Sequence, residues 1–147
     1  MYFLAILFFA ASASAQLTGG WTNSNGDNSG DMRRAWNGIM EYNAKLNNGQ
    51  YLLIPIKVLS TRTQVVSGTK YDNSVLVGQT NCTAGSTVIG SQQETPVPNY
   101  RSFPSDCTAS AGGPRFVYRV RLFEQPWTNT SRYTVEKERD VAPGEAL

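Results

Sequence analysis

One stretch of helical period, followed by several strand-like runs, predicts an α+β fold. In it a single long helix packs on one side of an antiparallel sheet of about four to five strands. Three observations carry this reading. From Met32 to Leu46, the apolar residues Met32, Ala35, Trp36, Ile39, Met40 and Leu46 recur at helical spacing. The runs Tyr51 to Thr63, Thr69 to Val77, Arg115 to Glu124 and Arg132 to Glu138 read as strands. The turn signals Gly68 and Pro126 separate neighbouring runs closely enough for hairpins.

Taken in order, Asn23 to Gly30 is rich in Gly, Asn and Ser and reads as a linker, with Asp31 suited to cap the helix that follows. Tyr42 and Asn43 fall on either side of the apolar stripe. Gly38 costs the helix about 1 kcal/mol, unless it lets a strand approach closely. Asn47-Asn48-Gly49 ends the helix, with Gly49 suited to a left-handed cap. In the first long strand, Leu52, Ile54, Ile56 and Val58 form the apolar face expected to cover the helix. Pro55 implies a bulge or an edge position there. In the run Arg115 to Glu124, Phe116, Tyr118, Val120 and Leu122 form one face, and Val117, Arg119, Arg121 and Phe123 the other.

The chain has 147 residues. Residues Met1 to Phe9 are almost wholly apolar, and Ala13-Ser14-Ala15 follows as a small-residue cleavage site. This reads as a secretory leader over residues 1–15, although it lacks the usual Lys or Arg. The remainder, 16–147, is expected to be one extracellular domain. The apolar run is too short to span a bilayer. Net charge is +2, with both signs interspersed, so neither nucleic acid nor membrane is implied as a partner. The alternating Arg115, Arg119 and Arg121 read as a solvated strand face.

There is no histidine. A Ser-His-Asp or Cys-His catalytic arrangement is therefore impossible within this chain, and so is a His-containing zinc site. The carboxylates are scattered, without a spacing that pairs an acid with a base. Gly112-Gly113-Pro114 lacks the lysine and helix of a phosphate loop. No cofactor or metal is implied, and the chain reads as a binder rather than an enzyme. The two cysteines, Cys82 and Cys107, allow one disulfide.

Two turns depart from ordinary turn chemistry. Gln64-Val65-Val66-Ser67-Gly68 places two valines where a hairpin tip is usually polar. They are either the frayed end of the strand or an exposed apolar tip. Pro126-Trp127 places a tryptophan in a short polar turn, and tryptophan is enriched in binding hot spots.

Gly19-Gly20 near the expected mature N-terminus, Gln64 to Gly68, and Pro126-Trp127, in this order and spacing, resemble the cystatin family of cysteine-protease inhibitors. The segment QVVSGTKY and Glu41-Tyr42-Asn43 are also similar to the family. The resemblance covers roughly Leu17 to Glu138. It implies a curved sheet wrapped around one long helix, and a wedge of three segments that enters the active-site cleft of papain-like, cathepsin-type proteases. On this reading Leu17 fills the apolar S2 pocket, and Gly19, with Gly20 beside it, is the hinge. Val65, Val66 and Ser67 sit deepest over the catalytic cysteine, and Gln64 and Gly68 hold that loop's shape. Trp127 lies on the primed-side wall, with Pro126 setting its approach. The implied inhibition is reversible, competitive and tight.

The resemblance further makes Cys82 and Cys107 the family's first disulfide and puts Tyr118 near where a cysteine of the second would stand. The long segment between the cysteines, with Pro96, Pro98 and Pro104, reads as a surface excursion away from the inhibitory edge. Asn47 matches the central residue of a motif with which some secreted cystatins bind legumain; the same stretch also reads as a helix C-cap turn. Asn129-Thr130-Ser131 is a glycosylation sequon beside Trp127. The alternative reading is a non-inhibitory extracellular binding module on the cystatin fold.

Overall fold

The computed structural model describes residues 19–26, 28–85 and 103–147. The expected leader, Leu17, and Pro96 and Pro98 lie outside the described residues. In chain order the elements are β1 (Thr22–Ser24), α1 (Ser29–Asn43), β2 (Tyr51–Val66), β3 (Gly68–Thr83), β4 (Arg115–Gln125) and β5 (Thr130–Asp140). The strands form one antiparallel sheet in the order β1-β2-β3-β4-β5, with α1 packed on one face.

The helix begins and ends earlier than the spacing predicts. Asn28, not Asp31, is the cap, its side chain accepting a hydrogen bond of 2.7 Å from the Gly30 amide. Asp31 lies in the first turn, buried and paired with Arg34, where a carboxylate favours the positive end of the helix dipole. Leu46 lies past the end of the helix, which stops at Asn43. There the Asn43 amide donates to the Leu53 carbonyl (2.8 Å) and its oxygen accepts from the Leu53 amide (3.0 Å). Asn43 thus acts as one more strand residue alongside β2, and that commitment turns the chain out of the helix. Gly49 adopts the expected left-handed conformation (φ +89°). The predicted linker is shorter than expected, because Thr22 to Ser24 pair with Thr63 to Thr61 of β2.

The core joins Ala35, Ile39 and Met40 of α1 to Leu53, Val58, Val75, Val77, Tyr118 and Val120 of the sheet. Gly38 serves the close approach that its position suggests. A Cβ there would lie 2.4 Å from Val120 Cγ1, so the helix can rest on β4 only without one. The expected apolar face of β2 does not run unbroken. Register shifts occur between Pro55 and Lys57 and between Val58 and Ser60. Leu53 and Val58 therefore both reach the helix, while Ile56 is left exposed. A strand shows its odd and even residues to opposite faces only while its register holds. Pro55 sits at the first of these two irregularities, as its missing amide hydrogen requires.

The faces of β4 are as read. Tyr118 and Val120 join the helix side, and Val117 joins Leu76, Val141 and Leu59 in a smaller outer cluster. Tyr118 fills the core, its hydroxyl donating to the Tyr42 hydroxyl (3.3 Å) and its ring edge-on to that of Tyr42. Burial, with that hydrogen bond, raises its phenol above the ordinary tyrosine range. Arg119 and Arg121 are not simply solvated: with Arg62 they surround the buried Asp72. Cys82 and Cys107 are bonded, with Cα atoms 5.6 Å apart. Among the described residues, no helix is long and apolar enough to cross a membrane, and no acidic, Cys or His cluster could hold a metal.

Replacing Asn43 with Ala leaves a buried amide and carbonyl of Leu53 without partners. The expected loss is about 3 kcal/mol, read from urea unfolding with an unchanged m-value. At the C-terminus, Glu145 accepts from Arg139 and from the Ala142 amide, and the Arg139 bond above all lowers its pKa. A carboxyl lowered by folding contributes stability above its unfolded pKa and loses it as pH falls through the folded value. Amide exchange of residues 142–147, taken relative to the intrinsic rate at each pH, should therefore rise in acid below the ordinary glutamate range. Glu145→Ala should show the same rise already at neutral pH.

Candidate functional site

Three segments meet at the end of the sheet where β2 turns into β3. Val65 and Val66 still pair with Thr69 and Gly68, so Ser67 alone forms the turn. They are nonetheless exposed, Val65 at 63% and Val66 at 39%. Both readings of the valines thus apply at once: they are strand residues by pairing and an apolar tip by exposure. Pairing holds the backbone rigid, and exposure leaves the side chains in water.

Gly68 has φ +124°, a region that favours glycine. A Cβ there would fall 2.5 Å from the Glu124 carbonyl oxygen and 2.9 Å from Gln125 Cγ. The first turn therefore lies directly against the end of β4. Gln125 completes the link, its side-chain amide donating to the Ser67 carbonyl at 2.6 Å. Sequence reading missed Gln125. Its only signal is a long amide beside Pro126, and its partner is far away in the chain.

The second turn follows at once. Pro126 to Thr128 form a short 3-10 turn, with proline at the first position, where no amide hydrogen is needed. Asn129 closes it in the left-handed conformation (φ 52°), its amide donating to the Pro126 carbonyl. Asparagine tolerates that region better than most side chains. The Thr128 hydroxyl donates to the Gln125 carbonyl (3.1 Å). Trp127, held on this small frame, is 68% exposed. The sequon residue Asn129 is exposed beside it.

The N-terminal arm flanks the other side. Gln64 Nε2 donates to the Gly19 carbonyl at 3.0 Å. A Cβ on Gly19 would stand 2.4 Å from the Val65 carbonyl oxygen, so backbone lies on backbone there as well. Gly20 is exposed with open space around it. Gly19, Gln64 to Gly68 and Pro126-Trp127 thus form one continuous edge, while Leu17 lies outside the described residues.

Asn47 is not part of this edge. It is exposed in the turn before β2, with its amide donating to Gln50 Oε1 (2.8 Å). The 16 residues of β2 separate it from Ser67, roughly 50 Å of chain at about 3.3 Å per residue. The disulfide also lies at this far end, since Thr83, next to Cys82, pairs with Tyr51.

A family model described as the Cystatin domain matches residues 19–94, which include β1 to β3 and the first turn. The chain belongs to the cystatin family. It is 36% identical to cystatin cpi-1 of Caenorhabditis elegans over 146 residues, covering 98% of this chain and 96% of that one. It is 27% identical to onchocystatin of Onchocerca volvulus over 125 residues, 85% of this chain and 69% of that one. The fold matches dimeric human cystatin F with a TM-score of 0.60 at 16% identity, over 88% of this chain and 94% of that chain. It matches the salivary cystatin of the soft tick Ornithodoros moubata with the same TM-score and identity, over 82% and 98%. Cystatins are in general inhibitors of cysteine proteases rather than enzymes, and the family includes secreted members.

Gly68→Ala puts a Cβ into both a strained φ and the Glu124 carbonyl. It should destabilise the fold by about 2 kcal/mol, with amide chemical shifts moving at Ser67, Glu124 and Gln125 and staying in place at Asn43 and Leu53.

Proposed function

We propose that this cystatin is secreted and acts as a reversible, competitive, tight-binding inhibitor of papain-like cysteine proteases of the cathepsin type. In this reading residues 1–15 are removed as a leader and 16–147 form the mature domain. The observation that carries the proposal is the single rigid edge on which Val65, Val66 and Trp127 are all exposed. Apolar groups held out in water by a hydrogen-bonded frame lose little conformational freedom on burial, so more of the contact energy appears as affinity.

The mechanism follows from that frame. Val65, Val66 and Ser67 enter the cleft above the catalytic cysteine. Gln64 and Gly68 keep their turn in shape through the Gly19 carbonyl and the end of β4. Trp127 lies along the neighbouring wall, brought there by Pro126. Gly19 and Gly20 let the arm bend so that Leu17 reaches the apolar S2 pocket. The turn is a continuation of paired strands and presents its backbone edge-on, so no peptide bond is offered for cleavage. Legumain is a second target in this reading, met through Asn47 at the far end of β2, and the two proteases could then be bound together. A glycan on Asn129 would stand against Trp127 and weaken the cathepsin-type contact.

The test is titration of active-site-calibrated papain with purified, unglycosylated mature protein. Stoichiometric loss of activity, recovered on dilution, is the expected result. Trp127→Ala should raise the inhibition constant by about thirtyfold, the loss of a hot-spot residue worth roughly 2 kcal/mol, with folding stability unchanged. A folded sample that leaves papain and a cathepsin L-type enzyme fully active would sink the proposal and favour a non-inhibitory binding module.

A further inference from the structure

We propose that the outer face of the sheet, on the side away from the helix, binds a sulfated polysaccharide chain. The strand registers gather cations there. Arg62 of β2, Asp72 of β3 and Arg121 of β4 stand in one row across the sheet. Lys70 of β3 and Arg132 of β5 belong to the next row, on either side of Phe123. Trp21, just before β1, closes the end of the groove, with the Arg62 guanidinium over its ring at 4.9 Å. The groove has a volume of about 540 Å³, and its walls carry four cations, Arg62, Lys70, Arg121 and Arg132, against one carboxylate, Asp72.

That carboxylate is already shared. Arg62, Arg119 and Arg121 all lie within ion-pair reach of Asp72, which is buried among them. One negative charge offsets one of the three. Arg121 and Arg119 also reach Glu136 (3.5 Å) and Glu138 (4.0 Å) at the margin of the face. Lys70 and Arg132 meet no carboxylate among the described residues. The excess of positive charge along the open groove therefore rests on Lys70 and Arg132, and it suits an extended anionic ligand.

The chemistry of the groove selects among anions. Guanidinium forks bind sulfate and carboxylate groups through paired hydrogen bonds. The Trp21 ring, 42% exposed, offers an apolar face on which a pyranose can stack. A single indole makes a poor platform for the successive bases of a nucleic acid. The groove adjoins the edge formed by Gly19, Val65 and Trp127, since Lys70 pairs with Gln64 and Trp21 follows Gly20, but binding of an anion there does not require protease inhibition.

The test is calorimetric titration of the mature protein with a heparin-derived octasaccharide at low and physiological salt. Controls are the desulfated octasaccharide and a single-stranded oligonucleotide of matched charge. Binding that weakens with salt and requires sulfation is expected. Lys70→Gln with Arg132→Gln should weaken it on the order of twentyfold, about fivefold for each cation facing an anionic surface. Neither residue is ion-paired, so the double variant should keep the wild-type circular dichroism spectrum. Lys45→Gln with Lys57→Gln removes the same charge away from the groove and should bind as the wild type does. Absence of binding at low salt would overturn the proposal. So would equal losses in the two double variants, or an affinity for the oligonucleotide matching that for the octasaccharide.

Discussion

The contact between Gly68 and the end of β4 sets the geometry of the whole exposed edge. Because position 68 carries no side chain, the backbone of the first turn can lie against the Glu124 carbonyl. Once there, Ser67 is within reach of the Gln125 amide, and Gln125 is the residue from which the second turn springs. Gly19 repeats the device on the other flank, with backbone against the Val65 carbonyl and Gln64 tying the two. Three segments distant in sequence are thus joined by main-chain contacts and two side-chain amides. Val65, Val66 and Trp127 take no part in these ties and are left free to face water.

The rest of the molecule supplies the rigidity that this arrangement needs. A long hairpin is easily bent, and β2 contains register shifts at which it could flex. The helix lies across these points, with Leu53 and Val58 on either side of the Pro55 irregularity joining one core. At the far end, Asn43 stitches the helix terminus to β2, and the disulfide closes β3 onto the following loop. Tyr118 fills space in that core and carries its own hydrogen-bonding partner in Tyr42. A packed aromatic pair there supplies cohesion of the kind that a second covalent bridge would otherwise provide.

Much of this was legible in the sequence. The helix, the strands of the sheet and the core faces of α1 and β4 follow from periodicity, which burial enforces wherever a regular element meets the core. Gly38, Gly49 and Pro55 were readable because each has a narrow set of structural uses. The errors arose where tertiary contacts overrode local signals. Asp31 has the chemistry of a cap, yet Asn28 caps the helix and Asp31 pairs with Arg34 inside it. Leu46 keeps the helical spacing, but Asn43 is drawn to β2 before the chain arrives there. Ile56 has the right parity for the core, but a bulge moves it to the surface. Gln125 and the arginines around Asp72 act through partners on other strands, and nothing local in the sequence announces such pairings. The edge was legible for the opposite reason, since its residues break local rules within short motifs.

Those broken rules separate the edge from other exposed apolar groups. Tyr51 and Ile56 are also exposed, but each stands alone, and scattered apolar residues on a surface are ordinary. At the edge, an apolar hairpin tip, a tryptophan in a short turn and glycines pressed against backbone occur together, joined by hydrogen bonds that serve no core. Each carries a cost: apolar area left in water, a strained φ, or chain entropy lost at a glycine. A fold selected for stability alone would place polar residues at the tip and a small side chain in the turn. Costs of this kind persist together when a partner's surface offsets them. For the inhibition proposed above, the partner's cleft would have to be apolar enough to receive Val65, Val66 and Trp127, and narrow enough to be filled by one edge of a sheet. Such a shape fits the groove of an enzyme better than a broad, flat protein surface.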